Sequence, residues 1–319
     1  MYPRPILLCF ESLCLEFDVL DALSGFYELV DYDSTFTNYG SVRAIYVRFK
    51  LRFDRSLISK FPVCRYIICN ATNTSHIDLE ACEEFGIKVI SLNGESELLE
   101  AISSTAELTW FLVLALARRA IPAAYSVRQG EWNRDSFLGI ELHGKSIGIV
   151  GLGRNGRKVV TYAEAFGMKV YAFDPFRNTC GSVIFLDSIE SLCKECDIVC
   201  ITVISDKSTR SLFSREVLRA MRPHALLINS SRGEVVDEDV ILEMLEKGSL
   251  GGYASDVLAN ETDVLNNRLF QATSRLNNLV ITPHIGGVTV DAWRTTERFV
   301  VERLLSLELQ STNGGTPRV

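Results

Sequence analysis

Positive charge is what this sequence most lacks. Its 33 lysines and arginines are outnumbered by 40 aspartates and glutamates, for a net charge of −7. A nucleic-acid partner needs a basic face, so none is expected. Long apolar runs are missing too. The longest, about Trp110–Ala117, falls well short of the roughly 20 residues that span a bilayer, so no membrane partner is expected either. The opening MYPRPILLCFESLCLEF is apolar only from Ile6 to Phe10 before Glu11 interrupts it, which argues against a secretory signal. The nine cysteines are scattered through the chain, the usage of reduced thiols in a cytoplasmic protein. Cys193 and Cys196 form a CxxC, but they precede the apolar run DIVCITVI, where a helix should be ending. A redox pair belongs at a helix start, where the thiolate is stabilised. No second pair completes a zinc site, and no metal is expected. No repeat of fixed period is present.

What remains is an ordinary globular composition, 47% hydrophobic and 23% charged, over 319 residues, enough for two domains with real cores. From Lys145 onward, strand-like runs (SIGIVG, KVYAFD, DIVCITV, ALLINS, GGYASDV, NLVITP) alternate with helix-like ones (GRKVVTYAEAFG, SIESLCKEC, SREVLRAMR, DEDVILEMLEKG). Strands apolar on both faces belong to a parallel sheet covered by helices, and six with crossovers predict a doubly wound sheet. The first hundred residues repeat the alternation more weakly, with PILLCF, AIYVRF, RYIICN and IKVISL as strands and IDLEACEEFG as a helix closed by Gly86. Between the two lies STAELTWFLVLALARR, apolar nearly all round, which reads as a buried helix that Pro122 should end or kink. The closing STNGGTPRV reads as a flexible tail.

Chemistry begins at GIVGLGRNG. Gly151, Gly153 and Gly156 form a GxGxxG between a strand and a helix. The glycines allow a tight turn, close approach of a pyrophosphate, and helix–strand packing, while the helix start faces the phosphates. Asp174 ends the next strand, 23 positions after Gly151. There a carboxylate accepts from ribose hydroxyls and repels a 2′-phosphate, which predicts NAD rather than NADP.

Ligands of open α/β sheets sit outside the carboxyl ends of the strands. Three later strands end in Arg232, in Asp256 with Glu261 beyond it, and in His284. Arg232 has two readings. It is a strand-end ion pair to Glu234 or Asp237, or a planar fork that waits for a carboxylate. A neutral His284 can take a proton from an alcohol, and a protonated one can return it to a ketone. Glu261 can orient the imidazole and stabilise its charged form. His76, His143 and His224 read as structural.

The segments INSSRGEVVDEDVI, ASDVLANE and ITPHIGG, with GRNG and Asp174 before them and GEWNR earlier still, similar to an interdomain connection, resemble the D-isomer-specific 2-hydroxyacid dehydrogenases over roughly residues 65–300. The phosphoglycerate dehydrogenase and hydroxypyruvate reductase branches are the most similar. The resemblance implies two Rossmann-like or flavodoxin-like doubly wound parallel-sheet domains. Residues 1–104 and 289–319 would form a substrate domain split in sequence, with a returning helix over about Asp291–Leu309, and residues 105–288 an NAD-binding domain. It implies a homodimer built on the cofactor domain and a small 2-hydroxy or 2-keto acid substrate. It also implies roles: Arg232 binds the substrate carboxylate, Glu261 supports His284, and His284 gives the proton. Asn73, Thr74 and Ser75 would help hold the carboxylate. The cofactor would lie along Gly151, Gly153, Arg154, Asn155, Gly156, Asp174, Ser230, Ser231, Arg232, Asp256, His284, Gly286 and Gly287, with Asp256 on the nicotinamide amide.

The sequence departs from the family pattern in places. Asn155 replaces an aliphatic residue, ITVIS lacks a proline that would help define the adenine wall, Asn73 stands where glycine is common, and no proline follows Glu261. None of these touches Arg232, Glu261 or His284. A cofactor-sensing corepressor on the same fold is the alternative to an enzyme. A formate dehydrogenase is disfavoured, because that branch lacks this carboxylate partner for the histidine. Arg48, Lys50 and Arg52 could meet a substrate phosphate or form a solvated strand edge.

Overall fold

A computed structural model describes residues 4–48, 51–177 and 179–313. Lys50 and residues 314–319, the end of the expected tail, lie outside them. The chain divides into two compact units, one drawn from Met1–Ile102 with Val288–Val319 and the other from Ser103–Gly287.

The first unit begins with strands β1 (Ile6–Cys9), β2 (Glu28–Asp31), β3 (Val42–Val47), β4 (Tyr66–Cys69) and β5 (Lys88–Ile90). They pair in the order β2-β1-β3-β4-β5, all parallel. Helices α1 (Phe17–Phe26), α2 (Arg55–Ile58), α3 (Leu79–Glu84) and α4 (Ser96–Glu100) connect them. Asp54 and Asp78 cap α2 and α3 by accepting from Leu57 N and Ala81 N, which satisfies amides that a helix start leaves open. The inner strands β1, β3 and β4 are largely apolar because both of their faces are covered. Leu8, Ile45, Ile67 and Cys69 point to one core, and Leu7, Tyr46 and Ile68 to the other.

The second unit opens with α5 (Ser104–Ala117) and α6 (Ala120–Arg128). The stretch Ser96–Ala117 is long and apolar enough by composition to cross a membrane. Its helix α5, however, sends Leu112, Val113 and Leu116 into the core of this unit, the position of an interior helix. Pro122 does not end α5, as the sequence suggested. The break falls at Arg119, whose backbone is left-handed (φ 49°), and Pro122 occupies the first turn of α6, where its missing N–H costs nothing.

Beyond it run β6 (Ser146–Val150), α7 (Arg154–Ala165), β7 (Lys169–Phe173), β8 (Ile184–Phe185), α8 (Ile189–Glu195), β9 (Ile198–Ile201), α9 (Arg215–Arg219), β10 (Leu226–Asn229), α10 (Glu238–Glu246), β11 (Gly252–Ser255), α11 (Arg268–Ala272) and β12 (Leu279–Ile281). The sheet order is β12-β11-β10-β9-β6-β7-β8, and every pair is parallel. Alternate residues again serve two cores: Ile198, Cys200 and Ile228 on one face, Val199, Ile201 and Leu227 on the other. Burying each such side chain contributes roughly 1.5–3 kcal/mol. The chain then returns to the first unit as α12 (Val290–Asn313), which packs Val300, Val301 and Leu304 against Leu7, Tyr46 and Ile68.

The register positions the site. Phe173, Val150, Ile201, Asn229, Ser255 and Ile281 lie side by side across the sheet. The next residue of each strand, from Asp174 through Gly151, Thr202, Ser230 and Asp256 to Thr282, therefore starts one continuous rim.

Candidate active site

The glycine loop begins that rim. Gly151 has φ +93°, and a Cβ there would press on Val203 and the Thr202 backbone at 3.0–3.1 Å. A Cβ on Gly156 would stand 2.1 Å from Gly151 O, so α7 can start this close to β6 only without a side chain. Gly153, the N-cap of α7, has open space where its Cβ would be. A side chain would fill that space, and a dinucleotide pyrophosphate could occupy it beside the first-turn amides of the helix. Asp174 accepts from Leu152 N at 2.7 Å and from Phe176 N at 2.8 Å. Each of its oxygens keeps a lone pair for a ribose hydroxyl. The loop, helix start and carboxylate fit NAD. Arg154 and Asn155, half-buried, lie in the first turn of α7. Thr202 Oγ1 donates to Gly151 O at 2.7 Å and fixes the loop from the neighbouring strand. A threonine ending an apolar strand gave no sequence signal for that task.

Further along, β10 delivers Arg232. Its Nη1 donates to Ser231 O at 2.7 Å, and among the described residues no carboxylate forms an ion pair with it. The pair to Glu234 or Asp237 allowed by the sequence is not made. Ser230 accepts from the buried Thr109 hydroxyl at 2.7 Å. Ser231 is 5% exposed and donates to Val203 O at 2.6 Å, so its hydroxyl is committed inside the fold.

Glu261 and His284 meet. His284 Nδ1 lies 2.7 Å from Glu261 Oε2, with each side chain about a third exposed, at 35% and 39%. Glu261 Oε1 also accepts from Leu258 N at 3.3 Å. Burial works to raise the Glu261 carboxyl, but the hydrogen bond and charge of His284, the Leu258 amide and the charge of Arg232 outweigh it and hold the group below its usual range. The carboxylate is therefore ionised and faces Arg232 and the imidazole of His284. The contact with Glu261 is made by Nδ1 of the ring.

Asp256 is an interior carboxylate. It is 3% exposed. Its Oδ1 accepts from Thr282 Oγ1 at 2.5 Å and Ile285 N at 2.8 Å, and its Oδ2 from Gly286 N at 2.7 Å. Burial pushes this carboxyl upward, and the three bonds draw it back. These bonds hold the turn that presents His284. Thr105 lies against the same turn, 3.3–3.4 Å from where a Gly286 Cβ would be, and nothing in the sequence had singled it out. Gly286 is buried and Gly287 exposed.

In the first unit, Asn73, Thr74 and Ser75 form a loop beyond β4. Asn73 Oδ1 accepts from Ser75 N at 2.8 Å, and Ile77 N donates to Thr74 O at 2.9 Å. Asn73 does not use the left-handed backbone that a glycine there would suggest. Arg48, one of the candidate phosphate ligands, stacks on Trp293 with its guanidinium carbon 3.9 Å from the ring centroid, and lies 4.0 Å from the buried Glu297. Arg52 is exposed. Cys193 and Cys196 are fully buried at the end of α8, and burial pushes both thiols up to about 12, which makes them poor nucleophiles. Among the described residues, no group of three His, Cys, Asp or Glu side chains could hold a metal ion.

A model of the D-isomer specific 2-hydroxyacid dehydrogenase NAD binding domain matches residues 110–286. The D-3-phosphoglycerate dehydrogenase of Methanocaldococcus jannaschii is 35% identical over 262 residues, 81% of this chain but 48% of that protein. This chain thus spans about half the length of that relative. The hydroxypyruvate reductase of Thermotoga maritima is 31% identical over 265 residues, 82% of this chain and 84% of its own. The crystal structure of D-lactate dehydrogenase from Aquifex aeolicus, complexed with NAD and lactic acid, superposes with a TM-score of 0.75 at 25% identity, covering 97% of this chain and 96% of that one.

Proposed function

The chain belongs to the D-isomer specific 2-hydroxyacid dehydrogenases, an NAD-dependent oxidoreductase family, and from that premise we propose that it interconverts a small D-2-hydroxy acid and its 2-keto acid with His284 as the acid–base group. The observation that carries this reading is the 2.7 Å contact between His284 and Glu261 on the rim that also bears the glycine loop and Arg232. NAD(H), when bound, supplies or accepts the hydride. In the reductive direction, the imidazolium gives its Nε2 proton to the carbonyl oxygen as that carbon gains hydride. Glu261 stabilises the charge on the ring before transfer and fixes its tautomer afterwards. Arg232, with most of its fork uncommitted, holds the substrate carboxylate bidentately and polarises the adjacent carbonyl.

For the cofactor, Gly151–Gly156 receive the pyrophosphate and Asp174 the adenosine ribose. Phe176 and Ile204, 94% and 84% exposed beyond the ends of β7 and β9, serve as apolar walls for the adenine. The absence of any pairing among the nine cysteines supports a cytoplasmic setting. Tyr125, Trp132 and Leu138, exposed at 63%, 91% and 84% around and beyond α6, support a homodimer made through the cofactor unit. A monomer in sedimentation at micromolar concentration would remove that part of the reading.

The test is NADH consumption with glyoxylate, pyruvate, hydroxypyruvate and 3-phosphohydroxypyruvate. Turnover of at least one is expected. Tight NADH binding with no turnover of any would instead favour a cofactor-sensing binding protein.

A further inference from the structure

The loop that carries Glu261 is held from outside by a residue so far given no role. Glu238, the first residue of α10, sends its side chain toward that loop instead of solvent. Its Oε1 accepts from Ala259 N at 2.7 Å, and its Oε2 from Asn267 Nδ2 at 2.6 Å. These contacts lie just before and just after the short helical turn Glu261–Asn266. Asn267 Nδ2 also reaches Ala259 O at 3.3 Å, and its Oδ1 caps α11 by accepting from Phe270 N at 3.0 Å. The turn has an irregular backbone. Asn260 before it is left-handed (φ 55°), and Asp263 within it leaves helical geometry. A turn of this kind keeps its shape only if something fixes its ends.

We propose that Glu238 is a positioning residue for the reaction: by clamping both ends of the Glu261–Asn266 turn, it sets where Glu261 meets His284. The inference rests on the reading of His284 and Glu261 given above. The sequence hid this role, because an acid just inside a helix start reads as a favourable charge for the helix dipole. The carboxylates nearest Glu238 are Glu234 and Asp239, and the charged groups facing the His284–Glu261 pair are Arg232 and Asp256.

Glu238→Gln keeps the size of the side chain but cannot accept from both donors. In the full-length protein it is expected to lower kcat for keto-acid reduction about tenfold, less than the roughly hundredfold that a 1 Å misplacement can cost. It should also move the alkaline limb of the pH profile to lower pH, and leave the NADH dissociation constant unchanged. Asn267→Ala should do the same and decides the matter if Glu238→Gln fails to fold. In a Glu261→Gln background the second substitution should add no further shift, because residues that act through one group are not additive. A lower melting temperature with kcat and the limb unmoved per folded molecule overturns the inference. So does an equal further shift in the Glu261→Gln background. If Glu261→Gln alone leaves the limb in place, the reading of the site fails and this inference falls with it, a result distinct from the other two.

Discussion

Gly233 lies so close to Ala259 that a Cβ on the glycine would stand 1.9 Å from the Ala259 nitrogen and 2.0 Å from the Leu258 carbonyl carbon. The loop after Arg232 and the loop before Glu261 are thus in backbone contact, and the spacing of two site residues depends on one absent methyl group. Gly233→Ala should force these loops apart. Overpacking of this kind costs about 1–3 kcal/mol, so the melting temperature should drop. Turnover should fall as well, while NADH affinity, determined elsewhere on the rim, stays constant. Normal turnover per folded molecule would show that the spacing of Arg232 and Glu261 is unimportant.

Proton transfer should be separable from cofactor binding. His284→Gln is expected to bind NADH normally but to turn over roughly two to four powers of ten more slowly, the usual worth of general acid–base catalysis. Keto-acid reduction needs the imidazolium, so its rate declines as pH rises and the ring loses its proton. Glu261 is held ionised, below its usual carboxyl range, and favours that proton. Glu261→Gln removes the favouring charge and should bring the decline to lower pH. Superimposable pH–rate profiles for the parent and Glu261→Gln would exclude Glu261 from the mechanism.

Arg232 offers a sharper contrast. Arg232→Lys keeps the charge but loses the planar fork, and should raise KM for the keto acid and lower kcat together. Arg232→Ala should do both more severely, since each lost charge-assisted hydrogen bond is worth about 1.5–3 kcal/mol. A purely structural arginine would instead lower the melting temperature and leave KM alone. Thermal melts beside steady-state kinetics on the same preparations distinguish the two.

The cofactor preference rests on Asp174. Asp174→Ala removes the ribose acceptor and the charge that repels a 2′-phosphate. It should weaken NADH and raise the NADPH to NADH ratio of kcat/KM. Equal use of the two cofactors by the unsubstituted protein would contradict the assignment.

The strands of the second unit were legible because burial on both faces writes a continuous apolar run into each. Strand β8 was not: it has two residues, Ile184 and Phe185, and lies at the sheet edge. Strand β2 escaped for the same reason, as an exposed edge strand of sequence ELVD. Among site residues, those that end apolar runs were visible from sequence, since topology alone sends Arg232 and His284 to one rim. The residues that hold them were not. That Asp256 anchors two backbone amides was not visible, Thr202 gave no signal, and Glu238 read as a helix-start charge. Their partners are fixed by contacts between distant segments, which a linear pattern does not encode.

His284 has a left-handed backbone, φ 54°. For a residue with a Cβ that conformation costs on the order of 1–2 kcal/mol, and here the Asp256 turn enforces it. Glycine or asparagine would occupy the same place more comfortably. The position is therefore one where durability and activity select different residues. His284→Gly and His284→Asn should survive heating better than the parent by a few degrees, although neither can exchange a proton with a substrate. Unequal losses would be as informative: if both melt lower, the ring must contribute more through Glu261 than its backbone takes away. Selection for heat resistance alone would thus tend to erase the histidine, and under the role proposed for His284 it is turnover that keeps it there.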